Sequence, residues 1–191
     1  MNAKVINQNT KNELPKVSAW IVSKYLLSLD PERRYFTNSH LFITDRISNR
    51  TSKLTTGNFR LNKMLQIIQA LYYACYKQPL FNDEIVAFEH GGVVFRIYRS
   101  FLKLHGEKEE IPYSYYLTTK QQEFINKIFS YSRDHYSDIQ LRDLAHEDLA
   151  WQRAIRRKGN EFVYNAEVLE YYKVLSSSML KAMGLLGEKD C

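Results

Sequence analysis

The stretch from Met64 to Tyr76 carries no charged side chain, and it limits what the chain can fold into. It lies within FRLNKMLQIIQALYYACYK, residues 59–77, where apolar side chains recur at spacings of three and four, the period of an α-helix. A helix that is apolar around most of its girth is buried on most sides. The sequence therefore predicts a mainly α, compact multi-helix domain built around a central buried helix at about residues 59–77.

Other periodic segments predict helices around this one. Pro15 is expected to open the first helix, because its missing N–H costs nothing there, and Asp30-Pro31 to end it. Two capping boxes, Thr119 with Gln122 and Ser137 with Gln140, predict two helix starts. Asn165 is expected to cap the last helix.

The chain length fits one domain with appendages. We predict a flexible N-terminal tail at 1–14, a single domain at 15–183 and a C-terminal tail at 184–191. Within the domain, residues 31–58 form a long basic connection, in which the apolar patch 40–48 is a short strand or a docked loop.

The whole chain has a net charge of +6. Its excess positive charge lies in the first part of the sequence. Residues 31–63 hold seven basic side chains and two acidic ones. This excess indicates either attraction to nucleic acid or an acidic protein, or simply a solvated polar connection.

Several classes of protein lack support in the sequence. The first residues have no apolar signal-peptide core, and no stretch approaches the roughly 20 apolar residues of a membrane span. Two isolated cysteines and five histidines without ligand spacing predict no metal and no cofactor. A Gly-x-Ser-x-Gly elbow and a phosphate loop are both absent from the sequence. We therefore expect a cytoplasmic protein that is not an enzyme and has no membrane partner.

A basic cluster with an adjacent tryptophan raises the possibility of nucleic-acid binding. Arg153, Arg156, Arg157 and Lys158 follow Trp151, and arginines contact phosphates while aromatic rings stack on bases. The alternative is a solvated helix end, where basic residues are favoured by the helix dipole.

The glycine pair in HGGVVFRIYRSF is the sharpest change of local character. Ile85–Phe88 predicts a short strand, within about 84–89, and Val94, Ile97, Tyr98 and Phe101 predict a helical face after Gly92. Gly91 permits backbone angles closed to other residues, and Gly92 permits close approach of a neighbouring segment. Plain turn chemistry is the alternative explanation for both.

Five phrases follow one another in an order that resembles a known family. VSAWIVSKYLL comes first, and LRDLAHEDLAWQRA and FVYNAEVLEYY come last. Between them lie two phrases whose matching residues are Arg60, Leu61, Lys63, Met64, Leu65, Gln69 and Tyr73, then Pro79, Leu80, Phe81, Ile85, Ala87, Phe88, His90, Gly91, Gly92, Val93, Val94, Tyr98 and Arg99. Over about residues 17–175 the chain resembles the Panacea antitoxin domain, also called the SocA-like domain, which includes phage-associated GepA-type proteins. Gln66 and Gly92 replace a tyrosine and a proline of the family pattern.

The resemblance implies an antitoxin that neutralises a cognate toxin by direct protein–protein binding. The expected turn and structural residues are Gly91, Gly92 and Trp151. Arginine is enriched at interface anchors, so the expected partner-binding residues are Arg33, Arg34, Arg46, Arg50, His90 and Arg99.

Two other functions stay open. One is an adaptor that delivers a client to a protease and uses 1–14 or the tail after Gly184 as a tether. The other is a nucleic-acid-binding regulator that uses Arg153, Arg156 and Arg157.

Overall fold

A computed structural model describes residues 16–36, 40–44, 51–106, 112–157 and 160–185. Seven helices and four strands form the described part of the chain. In chain order they are α1 Ala19–Ser28, β1 His40–Thr44, β2 Thr51–Thr55, α2 Thr56–Tyr76, β3 Ile85–Phe88, β4 Gly91–Val94, α3 Phe95–Gly106, a short 3-10 helix Tyr113–Tyr116, α4 Thr119–His135, α5 Asp138–Glu147, α6 Leu149–Ala154 and α7 Ala166–Ala182.

The long helix α2 lies at the centre of the domain, as predicted. It contacts α1, α3, α4, α5, α7 and the two hairpins. Its end is marked by Lys77, whose φ of 55° leaves the helical region while its N–H still bonds the Tyr73 carbonyl at 2.9 Å. Side chains on all sides of α2 are buried, including Leu61, Met64, Leu65, Ile68, Leu71 and Tyr72. The predicted mainly helical domain with a central buried helix is confirmed.

Helices α1 and α4 cover one side of α2 with aromatic contacts between them. The Tyr35 and Phe36 rings meet edge to face, and Phe36 stacks on Phe129 of α4 with ring centres 5.7 Å apart. Such pairs add to the apolar area they bury. The loop after α1 is therefore part of the core.

The prediction that Pro15 opens the first helix is wrong. Helix α1 begins at Ala19, and Ser18 caps it by accepting a hydrogen bond from the Ile21 N–H. The preceding residues are extended, because the Val17 N–H bonds the Leu80 carbonyl at 3.1 Å. Pairing with the segment after α2 thus decides where the helix starts.

Two of the predicted caps are confirmed and one lies a residue earlier. Ser137 with Gln140 forms a capping box, and Asn165 caps α7. The other box is formed by Thr118 with Gln121, not by Thr119 with Gln122, because Thr118 has the extended backbone that an N-cap needs.

The glycine pair opens a strand, so the prediction of a helix directly after it is wrong. β3 pairs antiparallel with β4 through a turn at Glu89-His90, and the helix α3 begins only at Phe95. Gly91 has a φ of 112°, which side chains rarely allow. Val94, which was expected on the helical face, is instead buried in β4.

The connection at 31–58 contains a second hairpin. β1 pairs antiparallel with β2, with His40 opposite Thr55 and Thr44 opposite Thr51. Of the two alternatives for the patch 40–48, the short strand is confirmed at 40–44. The expected tail at 1–14 and residues 186–191 of the C-terminal tail lie outside the described residues.

No helix among the described residues has both the length and the apolar character that crossing a membrane requires.

Candidate partner-binding surface and the polar cluster behind it

The outer edge of β4 is completed by side chains of α2 instead of by another strand. Gly92 and Val94 lie opposite Ala87 and Ile85, and their N–H groups point away from β3. The Gly92 N–H donates to Gln66 Oε1 at 2.7 Å, and the Val94 N–H donates to Asn62 Oδ1 at 3.0 Å. Buried backbone groups must be paired, so these two side chains satisfy an edge that would otherwise be open.

Lys63 adds a third bond to the same edge. Its Nζ donates to the Gly92 carbonyl at 3.2 Å. We call Asn62, Lys63 and Gln66 the polar ladder. All three side chains are at most 3% exposed, which makes the ladder an internal part of the fold.

The glycine pair is required by close packing on the polar ladder. A Cβ at Gly92 would lie 2.8 Å from both Gln66 Oε1 and Phe162 Cζ, and a Cβ at Gly91 would overlap the Lys63 ammonium group. As expected, neighbouring segments approach Gly92 closely. They are α2, through Gln66, and the segment at Phe162.

The two departures from the family pattern lie in direct contact. Gln66 and Gly92 share the hydrogen bond described above. Proline at position 92 would have no N–H to give, and tyrosine at position 66 has no amide oxygen to receive it. Gln66 and Gly92 are therefore complementary, because one supplies the acceptor and the other the donor of the same hydrogen bond.

Asp148 joins the polar ladder to the C-terminal helices. We call the polar ladder together with Asp148, His146 and Tyr172 the polar cluster. It is 5% exposed, and its carboxylate accepts bonds from Gln66 Nε2 at 3.0 Å, from the Tyr172 hydroxyl at 2.5 Å and from the Ala150 N–H at 2.8 Å. The last bond caps α6. Burial raises the pKa of the Asp148 carboxyl, and the hydrogen bonds from Tyr172 and Gln66 act in the opposite direction. One carboxylate therefore ties α2, α6 and α7 together.

Burial favours the uncharged forms of the two basic side chains near Asp148, Lys63 and His146. Burial lowers the pKa of Lys63 to about 7, although the Asp148 carboxylate opposes this change. Burial, with the positive charge of Lys63 second, lowers the pKa of His146 to about 4. His146 is therefore a neutral imidazole at pH 7, and its Nε2 is buried with no hydrogen-bond partner among the described residues.

Trp151, predicted as a structural residue, contacts the far end of β3. Its indole N–H donates to the Phe88 carbonyl at 2.9 Å. The ring lies flat on His146, with centres 4.3 Å apart and planes 7° apart. The second edge of β3 is covered as well, because Ala87 N–H bonds the Asn160 carbonyl at 2.6 Å and Phe162 N–H bonds the Ile85 carbonyl at 3.0 Å.

Helix α3 follows β4 without a connecting loop and presents an unusual outer face. Its inner face buries Ile97, Phe101 and Leu104. Its outer face exposes two aromatic rings, Phe95 at 49% and Tyr98 at 40%. We use the term α3 stripe for this outer face, which consists of Phe95, Arg96, Tyr98, Arg99 and Lys103.

Two arginines of the α3 stripe lie on aromatic rings. The Arg96 guanidinium is 5.3 Å from the centre of the Trp20 ring, and that of Arg99 is 5.6 Å from the centre of the Phe95 ring. Neither arginine has a carboxylate partner among the residues that the structure describes. Tyr98 packs edge to face on Phe88 at 5.8 Å, which links the stripe to the β3–β4 hairpin.

The predicted partner-binding arginines of the 31–58 connection have different surroundings. Arg33 donates to the carbonyls of Leu27 and Asp30, so its side chain closes the end of α1. Arg34 is exposed and pairs with Glu32 at 2.5 Å. Arg46 and Arg50 lie outside the described residues.

The other two predicted binding residues flank the β3–β4 hairpin. His90 lies in its turn, and Arg99 lies on the exposed face of the helix that follows. Sequence reasoning missed Phe95, Arg96 and Tyr98 as surface residues. A signal was present, since α3 contains aromatic and basic residues but no Asp or Glu.

The basic cluster considered for nucleic acid is divided by the fold. Arg153 pairs with Glu167 of α7, whereas Arg156 and Arg157 are exposed just after α6. Lys158 lies outside the described residues. Among the described residues of this cluster, Arg156 and Arg157 thus remain as candidates for contacts with phosphates.

The polar residues border one small cavity. The described ranges hold no group of three or more His, Cys, Asp or Glu side chains that could bind a metal ion. A cavity of about 40 Å³ lies beside Gln66, Asp148 and Tyr172. Apolar side chains, including Ile67, Leu71 and Leu144, form most of its lining.

Together these features define a helical domain in which one polar cluster fixes a small hairpin and an aromatic, basic helix face is exposed. Residues 61–152, a little under half of the chain, match the family model of the antitoxin SocA-like, Panacea domain. The resemblance stated from the sequence is confirmed over this stretch, which contains the polar ladder, Asp148 and the α3 stripe. Neither a curated protein nor a solved structure matches the chain.

Proposed function

We propose that this protein neutralises a toxin by binding it directly. The family match carries the antitoxin role in general terms. The α3 stripe supports direct binding, because exposed tyrosine and arginine side chains are the types that dominate the energy of protein–protein interfaces.

The fold supplies a rigid base for such an interface. The polar ladder holds β4, and β4 continues directly into α3. The backbone that carries the α3 stripe is therefore already ordered before a partner binds. Preorganisation of this kind raises affinity because less conformational entropy is lost in the complex. We infer that the protein blocks its partner by occupying a surface, without a chemical reaction of its own.

Co-expression with the protein encoded beside it tests the proposal. That neighbour is expressed alone, with this chain, and with a variant in which Phe95 and Tyr98 are both changed to Ser. We expect the neighbour to arrest growth, the chain to restore growth and the two proteins to co-purify. A blocking interface of this kind buries about 1,200–2,000 Å².

The double variant is expected to lose both rescue and co-purification while keeping its thermal stability, since both rings lie outside the core. A matched control changes Ile139 and Val174 to Ser, because these side chains are also exposed, at 59% and 73%, but lie on α5 and α7. A harmless neighbour, or rescue without a complex, would refute the proposal.

A further inference from the structure

The charges of the α3 stripe are all of one sign. Helix α3 contains Arg96, Arg99 and Lys103 on its outer face and no acidic residue at all. Successive residues of an α-helix are about 100° apart, so Tyr98 and Phe95 form one margin of the stripe and Arg96 and Lys103 the other, with Arg99 between them. The stripe therefore has an apolar margin and a basic margin that run side by side along one helix.

The arginines of the stripe are positioned to receive planar acceptors. A guanidinium beside an aromatic ring keeps its N–H donors, and these can bind a carboxylate with two hydrogen bonds. Trp20 and Phe95 supply these rings for Arg96 and Arg99. Because both guanidinium groups are exposed and without a carboxylate partner in the described part of the chain, their charge is available to a second molecule.

We propose that the α3 stripe binds an acidic amphipathic helix of the partner protein, with its carboxylates on Arg96 and Arg99 and its apolar side chains on Phe95 and Tyr98. The identification of the partner as a toxin rests on the proposed function. The charge complementarity and the paired margins come from α3 itself. A helix in a groove or on a helix face presents such paired margins through residues three and four apart.

Nucleic acid fits this surface less well than an acidic protein segment does. Binding to duplex DNA draws its affinity from many phosphate contacts, whereas the stripe has three basic groups on a single helix. The exposed arginines after α6, Arg156 and Arg157, belong to another part of the surface. They provide a matched control with the same number of charges.

A labelled peptide tests the inference without the natural partner. The probe is an 18-residue peptide with Leu and Glu placed at helical spacing, and its control has Gln in place of every Glu. Fluorescence anisotropy measures binding of each peptide, and of an 18-base-pair DNA duplex, to the full-length protein. The variants are R96E with R99E, R96K with R99K, and R156E with R157E.

We expect the wild-type protein to bind the Glu peptide at least about tenfold more tightly than the Gln peptide and the duplex. The R96E/R99E protein should lose about 30-fold or more in affinity, and R96K/R99K an intermediate amount because lysine makes no bidentate bond. The R156E/R157E protein should change by less than about twofold, since screening weakens distant charges. All substituted side chains are exposed, so thermal melting is expected to be unchanged.

Three results would overturn the inference: equal binding of the Glu and Gln peptides, tighter binding of the duplex, or equal losses in the two charge-reversal variants. Failure of the antitoxin role can be distinguished from failure of this inference. If the neighbouring protein forms a complex that R96E/R99E leaves intact, the antitoxin role stands and the acidic-helix inference is wrong. If the Glu peptide binds as expected but no neighbour is neutralised, the inference stands and the antitoxin role is wrong.

Discussion

The two hairpins of this domain are similar in size but are held in different ways. A two-stranded ribbon alone is at most marginally stable in water. β3–β4 has both outer edges bonded, one to the polar ladder of α2 and the other to residues 160–162. β1–β2 packs mainly within itself and touches the start of α2 through β2. Among the described contacts, β3–β4 is therefore joined to the core along both edges, and β1–β2 is joined to it at the start of α2.

This difference shows how a helix can complete a sheet. Three polar side chains, all within one and a half turns of α2, bond the backbone of a strand as a neighbouring strand would. Gln69 does the same for the segment before the hairpin, since its Oε1 accepts from the Leu80 N–H at 3.0 Å and its Nε2 donates to the Phe81 carbonyl at 2.8 Å. The polar residues of an otherwise apolar helix therefore have a structural use.

The largest loss is expected from Asp148→Ala. This change leaves the Gln66 amide and the Tyr172 hydroxyl without their acceptor and removes the cap of α6. Breaking a buried charged network costs about 3–5 kcal/mol, measured as the free energy of unfolding in urea. Asp143→Ala, at an exposed position of α5, is the control and should cost less than about 0.5 kcal/mol. Equal effects of the two changes would show that Asp148 does not organise the cluster.

The next largest loss is expected from Gly92→Ala. The new methyl group would press on Gln66 and Phe162, and overpacking of this kind costs about 1–3 kcal/mol. A double-mutant cycle with Gln66→Ala measures the contact itself, because a shortened side chain at 66 makes room for the methyl group. The combined loss should be smaller than the sum of the single losses, and strict additivity would contradict the close contact.

Lys63, which bonds β4, makes the free energy of unfolding of the protein depend on pH. Its pKa is about 7 in the folded protein and near 10.5 in the unfolded chain, so the unfolded state binds more protons between these values. Stability from this group should therefore rise as pH increases, by about 2 kcal/mol between pH 7 and 9. Lys63→Met removes the titrating group and should flatten the profile of unfolding free energy over that range.

Lys181→Met, at an exposed position, is the control for this titration and should leave the profile as it is. Measurements should stop below pH 10, because Tyr164 and Tyr172 have pKa values raised by burial and act in the opposite direction when they ionise. A wild-type profile that is flat, or that falls, between pH 7 and 9 would contradict the neutralisation of Lys63.

The smallest loss is expected from removal of β1–β2. The chain can be shortened here because the Arg60 guanidinium bonds the Tyr35 carbonyl at 2.9 Å, so residues on the two sides of the deletion are in contact without the hairpin. Replacing residues 40–55 with an eight-residue Gly/Ser linker should change the free energy of unfolding by less than about 1 kcal/mol, since loop closure depends weakly on length. A loss as large as that of Asp148→Ala would show that both hairpins belong to the core.

The sequence predicted the parts of the fold that depend on local pattern. The uncharged run in α2 identified the central helix, and the caps at Ser137 and Asn165 follow from short-range hydrogen bonds. β4 was missed because GGVVFRIY has helical spacing, while its strand conformation depends on side chains of α2 that lie about 30 residues earlier. Contacts of that range leave no local signal.

The surroundings of the predicted site residues likewise depend on tertiary packing. His90 and Arg99 lie around the hairpin, but Arg33 is engaged by the carbonyls at the end of α1, a role that its place in a basic connection does not reveal. The local sequence does not distinguish Lys63 and Gln66 from exposed polar residues of a helix. Their burial and their hydrogen-bond partners are determined by tertiary packing. The α3 stripe required knowledge of which face of α3 is turned outwards.

The direct passage from β4 into α3 has a consequence for how such a protein can diversify. The residues of the polar ladder lie buried on α2, whereas those of the α3 stripe lie on the exposed face of α3. Substitutions on the outer face can then accumulate, or be selected from a randomised library, without a cost to folding. A single scaffold of this kind can acquire new partners by exchanging a handful of side chains.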